Sequence, residues 1–176
     1  MEGAVGVDKD KRQGKVGEEQ LVVFTLANET YGIAISTVNE IIRMQDITEV
    51  PRTPDFVEGV INLRGRIVPV IDLRKRFGLE AAEATQASRI MVVELQGLTV
   101  GMIVDSVSEV LRLPTDSIEP TPAIASGVDS AYLKGVGKWD DRLIILLDIE
   151  KVLYESEQEE VAASMEIVAA GDSGAV

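Results

Sequence analysis

The chain is 176 residues long, carries a formal net charge of −13, and contains neither cysteine nor histidine. Those absences exclude a disulfide framework, a thiolate metal site and every nucleophile pair built on imidazole, so only carboxylate or lysine chemistry is left to an enzyme. A pI near 4.4 argues against nucleic acid or an anionic membrane surface as partner.

Hydrophobic residues make up 45% of the chain but aromatics only 4%, so a core must be built from Val, Ile and Leu, which favours strands. Residues 1–18 are rich in Gly, Lys and Asp without periodicity and read as a flexible lead-in. They lack the apolar centre of a secretory signal, and no later run approaches the ~18 apolar residues of a bilayer span. The expected location is the cytoplasm, without membrane insertion.

In chain order, Leu21–Leu26 reads as a strand, Ala27-Asn28-Glu29-Thr30 as a hairpin turn, and Tyr31–Ile35 as the returning strand. Ser36 is a good N-cap, and Val38, Ile41 and Ile42 follow at helical spacing, which predicts a short helix. Pro51 and Pro54 break what comes next. A second hairpin spans 60–73 with Arg64-Gly65 at its turn, and Asp72 opens a helical stretch.

The pattern then repeats. Residues 20–43 align without a gap on 89–112, pairing Val23 with Val92, Gly32 with Gly101, Glu40 with Glu109 and Arg43 with Arg112. Residues 59–77 align on 135–153, pairing Gly59 with Gly135, Arg66 with Arg142 and Asp72 with Asp148. Gln96-Gly97-Leu98 and Asp140-Asp141 fall at the matching turns. Asp105 is the matching cap before Val107, Val110 and Leu111, and Pro120 and Pro122 the matching breakers. An order-preserving match at both ends of a unit this long signals duplication of one supersecondary unit. The first repeat runs over about 20–79 and the second over about 88–154. Short strands with short connections suggest two small barrels, neither able to bury much core alone. After Tyr154 an acidic tail, 155–176, carries six carboxylates and no cation; it reads as partly helical or disordered.

The string F-V-E-G-V-I-N-L-R-G-R-I-V-P-V-I-D-L-R-K-R-F-G at 56–78 resembles the central signature of the CheW family, with YGIAISTVNEII and SRIMVVE in the expected order around it. The resemblance covers roughly 18–154, and a CheW-like domain over 19–154 is expected. It implies a mostly β fold: two five-stranded, Src-homology-3-like barrels around a shared hydrophobic core, with a few short helices. It also implies a non-catalytic adaptor, without cofactor, that couples the cytoplasmic tip of methyl-accepting chemoreceptors to the regulatory module of the histidine kinase CheA. Location in the cytoplasm, with recruitment to receptor arrays through partners, follows from the same resemblance. CheA itself and CheV carry this domain beside others; this chain reads as the stand-alone form.

The binding residues that the resemblance implies are Val38, Glu40, Gly59, Asn62 and Arg64. Arg64 beside Gly65 also reads as a plain solvated turn charge, Val38 as core of the short helix, and Gly59 as a bulge. A pairing of Glu40 with Arg64 would orient the guanidinium fork towards a partner. Asp72 and Asp148 read as helix caps rather than as paired catalytic acids. No phosphate-loop spacing surrounds Asn62-Leu63-Arg64-Gly65. Trp139, the only tryptophan, fits either core or interface. The rival readings are a regulatory module of another two-component kinase and a carboxylate-based enzyme.

Overall fold

The computed structural model describes residues 17–119 and 132–152. The lead-in, the acidic tail, Pro120 and Pro122 lie wholly or almost wholly outside these residues. Eleven strands form two sheets: β1 Glu18–Leu26, β2 Glu29–Ala34, β3 Val38–Arg43, β4 Val57–Leu63, β5 Arg66–Asp72, β6 Arg89–Leu95, β7 Leu98–Val104, β8 Ser106–Pro114, β9 Ile118–Glu119, β10 Leu133–Trp139 and β11 Arg142–Leu147. The only α-helix among them is α1, Leu73–Arg76, with short 3-10 turns at Ile35–Thr37, Thr115–Ser117 and Ile149–Lys151.

Each sheet mixes the repeats. One has the order β3-β6-β7-β5-β4, the other β9-β10-β11-β2-β1-β8. The first barrel therefore takes three strands from the first repeat and the opening hairpin of the second. The second barrel takes the opening hairpin of the first repeat and the remaining strands of the second. In each sheet the repeats meet at two pairings: one antiparallel, β3 with β6 and β1 with β8, and one short and parallel, β5 with β7 (Val70 opposite Gly101) and β11 with β2 (Leu146 opposite Gly32). The barrels are thus not the repeats; each is completed by the other repeat's first hairpin.

This exchange explains why the central strands are apolar on successive residues instead of alternating. A strand buried on both faces needs apolar side chains on both. On β1, Leu21 and Val23 point into the second barrel with Leu111, Leu113, Ile144 and Leu146. Their neighbours Val22, Phe24 and Leu26 join the cluster between the barrels. On β6, Ile90 and Val92 fill the first barrel with Ile61, Val68 and Val70, while Met91, Val93 and Leu95 face the shared cluster.

Two expected helices are strands. Val38–Arg43 pairs with β6, and Ser106–Pro114 pairs with β1. Apolar residues three and four apart fit a helix, but these β-branched runs find partner strands on one side, and tertiary pairing overrides the local spacing. Burial does alternate along both strands, but the outward-facing Ile41 and Val110, 38% and 52% exposed, are apolar and sit beside the inward-facing Ile42 and Leu111, which hides the alternation in the amino-acid order. Asp105 caps no helix; its carboxylate accepts the Ala27 N–H at 2.9 Å. By contrast, Asp72 does cap α1, accepting from the Arg74 amide at 2.9 Å, and Asp148 accepts from the Glu150 amide at 3.3 Å. Both carboxylates of the discarded acid pair are thereby engaged.

The hairpin turns behave as read. Ala27-Asn28, Arg64-Gly65 and Gln96-Gly97 place both central residues at positive φ, as the tight turn matching the twist of paired strands requires. Trp139, at the end of β10, is half-buried and packs against the second barrel's inner cluster.

Polar groups clasp the barrels where the chain crosses between them. Arg74 of α1 grips Asp105 with Nε to Oδ1 at 2.9 Å and Nη2 to Oδ2 at 2.6 Å. Asp105 in turn holds the β1–β2 turn of the other barrel through Ala27. Nearby, the Arg76 guanidinium lies 4.7 Å from the ring centroid of Phe56 and 5.3 Å from that of Tyr132, equivalent positions in the two repeats. No helix among the described residues is long and apolar enough to cross a membrane.

Two predictions follow from this construction. Ile90→Ala opens a cavity in the first barrel and is expected to cost about 2–5 kcal/mol. Because the core is shared, urea unfolding followed by Trp139 fluorescence, a probe in the second barrel, shifts as far as the far-ultraviolet circular dichroism. A Trp139 midpoint left at the wild-type value would show that the barrels unfold separately.

Asp105→Ala is expected to cost about 2–3 kcal/mol at pH 7, the scale of hydrogen bonds to charged groups. The Arg74 guanidinium holds the Asp105 carboxyl below its ordinary range, against the opposing effect of burial. The folded state therefore binds that proton less readily than the unfolded chain. The clasp's contribution is complete above the unfolded carboxylate value of about 3.9 and fades as pH falls through the lower folded value. Urea midpoints of wild type and Asp105→Ala should converge in that acid window; a constant difference down to pH 2 would contradict the assignment.

Candidate functional site

The five residues singled out above lie along the first barrel's edge strand β3 and the β4–β5 hairpin. β3 and β4 are the two ends of their sheet, so the barrel has a seam between them. One link across it is the backbone pairing of Thr48 with Val60, whose amides and carbonyls exchange two bonds of 2.8 Å. A second is an ion pair between Glu40 of β3 and Arg64 at the hairpin turn.

Arg64 is 70% exposed and Glu40 29%. An exposed pair of this kind contributes little to stability, because water solvates both charges well and side-chain ordering opposes it. Its effect is orientation: one guanidinium edge is fixed on Glu40 while the rest stays in solvent. Asn62 shapes the same turn, its Oδ1 accepting the Gly65 N–H at 2.8 Å. Val38 sits at the start of β3, half-buried against the inter-barrel cluster, so it joins the edge to the shared core.

Gly59 has a structural duty. Its φ is +146°, and a Cβ there would lie 2.1 Å from the Thr48 carbonyl oxygen. Its repeat counterpart Gly135 lies under the Glu119 carbonyl in the same way, where a Cβ would meet oxygen at 2.8 Å. Both glycines let the preceding loop close on the hairpin.

A polar network beside Glu40 escaped the sequence reading. Asn39 Nδ2 and Thr99 Oγ1 both donate to Glu94 Oε1, at 3.1 and 2.6 Å, and Arg66 Nη2 reaches Thr99 Oγ1 at 3.1 Å. The Thr99 and then the Asn39 hydrogen bond hold the Glu94 carboxyl below its usual range, with Arg66 adding to the effect. The available signal was Glu94 itself, the one polar residue inside the apolar run Ile90–Leu95. The second barrel has its own edge-to-hairpin ion pair, Glu109 with Arg142 at 3.0 Å. Among the described residues no group of three or more acidic side chains could hold a metal ion.

Known proteins match this chain in sequence and in fold. A family model described as CheW-like domain matches residues 20–157. The chain belongs to the CheW-like family. It is similar to the chemotaxis protein CheW of Klebsiella aerogenes, 41% identical over 147 residues that cover 84% of this chain and 89% of that protein. The chemotaxis protein CheW of Thermotoga maritima is 38% identical over 138 residues, 78% of this chain and 89% of that one. The crystal structure of the scaffolding protein TtCheW from Thermoanaerobacter tengcongensis superposes with a TM-score of 0.73 at 43% identity, covering 79% of this chain and 94% of that one. Membership in the CheW-like family makes this chain a non-catalytic chemotaxis adaptor, and its fold is that family's pair of Src-homology-3-like barrels.

For a CheW-like domain the seam must close before the surface exists, which sets the expectation for Gly59→Ala. Forced positive φ and overlap with the Thr48 carbonyl together should cost about 3 kcal/mol. Thermal unfolding checks it, and a melting temperature equal to wild type would remove Gly59 from the closure.

Proposed function

We propose that this chain couples the cytoplasmic tip of chemoreceptors to the regulatory module of the histidine kinase CheA, and that Glu40 and Arg64 sit at the centre of the coupling surface. The observation that carries the reading is the Arg64 guanidinium, anchored on Glu40 at one edge and open to solvent elsewhere. A planar cation held in one orientation loses less freedom on docking than a free one, and its remaining donors can grip a carboxylate or backbone carbonyls of a partner. Val38, Gly59 and Asn62 would complete that surface, with Val38 joining it to the core.

An adaptor acts through differential contacts. Receptor state biases kinase state by the free energy with which each partner's docking favours one arrangement of the other. The shared inter-barrel core suits that role, because a partner on one barrel bears on a body that the second barrel cannot leave. The kinase module belongs to the same family of folds under this reading, so its contact would be barrel to barrel, and repeated contacts through both barrels would build a ring or array. The protein would then work in the cytoplasm, at membrane-associated arrays, through its partners alone.

Calorimetric titration with the CheA regulatory module should give saturable one-to-one binding. Co-sedimentation with receptor fragments, scored with kinase activation, then tests the surface. Arg64→Asp should change stability by no more than about 0.5 kcal/mol, as expected of an exposed pair. Receptor-coupled kinase activation should fall at least tenfold, about 1.4 kcal/mol of coupling. A folded Arg64→Asp protein with undiminished coupling would remove Arg64 from the site, and absence of any kinase complex would overturn the partner assignment.

A further inference from the structure

Strand β3 ends on Arg43, and the residue opposite it on β6 is Arg89. Like charges directly opposite on neighbouring strands destabilise a sheet. The internal duplication supplies a control. In the second repeat Arg112 stands in the place of Arg43, and opposite it is Gln20, the counterpart of Arg89. That barrel pairs the same strands with one cation and a neutral amide. Strand pairing therefore does not require Arg89 to be charged.

Both arginines line a surface cavity of about 420 Å³, together with Met44, Thr85, Gln86 and Ser88. No acidic side chain lines it, although the chain as a whole carries −13. Neither arginine has an ion-pair partner among the described residues. Arg89 is held in place by Nη1, which donates to the carbonyls of Gln86 and Ser88, each at 2.8 Å. Its other N–H donors are left for a ligand.

The rim is ordered by its own hydrogen bonds. The Thr85 amide donates to Ser88 Oγ at 2.8 Å, the Ala87 amide to Thr85 Oγ1 at 3.2 Å, and the Ser88 amide to the Thr85 carbonyl at 3.1 Å. Ser88 is only 5% exposed, and with its oxygen accepting from Thr85 its hydroxyl proton is free to donate. Arg43, Arg89 and Ser88 thus line a cavity without a carboxylate of its own.

We propose that the Arg43–Arg89 cavity is an oxyanion site, taking a ligand that presents paired carboxylates or a phosphate group. Guanidinium forks match both groups in geometry, and a bound anion cancels the repulsion between the two cations. The chain's overall negative field discourages anions at long range, but it is screened over about 8 Å at physiological salt, so the local pair decides. The site lies at the end of β3 away from Val38 and does not depend on the role given to Arg64.

The test is an NMR titration of the full chain, following the Arg43 and Arg89 Nε–H signals and the amides of residues 85–89. Inorganic phosphate and a blocked Glu-Glu dipeptide are added separately. Saturable shifts at these positions with either probe are expected. Arg89→Gln, which recreates the pairing of the second barrel, should weaken them at least tenfold, Arg43→Gln should do the same, and Arg112→Gln should leave them unchanged. A response to the dipeptide alone assigns the site to acidic side chains, and a response to phosphate alone to a phosphorylated ligand or free phosphate. Silence with both probes, or shifts that survive in Arg89→Gln and Arg43→Gln, would overturn the proposal.

Discussion

Burial of the central strands on both faces is the constraint on which the rest of this molecule depends. β1, β5, β6 and β11 each send alternate side chains into their own barrel and the intervening ones into the cluster between barrels. A fully buried Val, Leu or Ile contributes about 1.5–3 kcal/mol relative to exposure, so each such strand contributes on both sides at once. Separating the barrels would expose Phe24, Tyr31, Met91 and Met102 together, all fully buried in the intact structure. No single barrel of this size compensates that loss, which is why the duplication gives one cooperative body.

The exchange of opening hairpins strengthens the same constraint. Each barrel is completed by a hairpin from the other repeat, so neither half of the chain can close its sheet without the other. The polar groups at the crossing are placed accordingly. Asp105 stands where β7 of one barrel passes into β8 of the other, held by Arg74 from one side and holding Ala27 on the other. Arg76 lies against Phe56 and Tyr132, which occupy equivalent places in the two repeats. An adaptor that transmits a bias between partners needs a body whose parts cannot rotate independently, and these contacts provide it.

Much of this was legible in the amino-acid order. The strand runs, the hairpin turns, the Asp72 and Asp148 caps and the duplication depend on local chemistry, and the fold reproduces them. Exchange of hairpins was not legible, because residues 20–34 and 89–103 are equivalent, and equivalent hairpins carry no label saying which barrel they enter. The helical reading of 38–42 and 107–111 failed for a related reason. The outward-facing Ile41 and Val110 are apolar, so the amino-acid order hides the two-residue alternation that burial follows and matches helical spacing instead. The pairing of Glu40 with Arg64 was anticipated, whereas the Asn39–Glu94–Thr99–Arg66 network was not, since its members come from four strands. Glu94, alone among apolar neighbours, was the one hint.

Comparison of the two barrels separates what the fold needs from what one surface has acquired. Glu40 and Glu109 occupy matching places on matching edge strands, and each meets an arginine from the facing hairpin. In the second barrel that arginine is Arg142, at the start of β11, and the turn position equivalent to Arg64 is Asp140. Closing the edge onto the hairpin is therefore satisfied by an arginine on the strand. In the first barrel the equivalent strand residue, Arg66, reaches Thr99 instead, and the task passes to Arg64 at the turn. The displacement moves the cation outward: Arg64 is 70% exposed where Arg142 is 46%. Closure alone does not require that outward shift, since the second barrel closes without it. An edge link that also projects its charge beyond the barrel surface suits the docking role proposed for Arg64, and of the two barrels the first has it at this position.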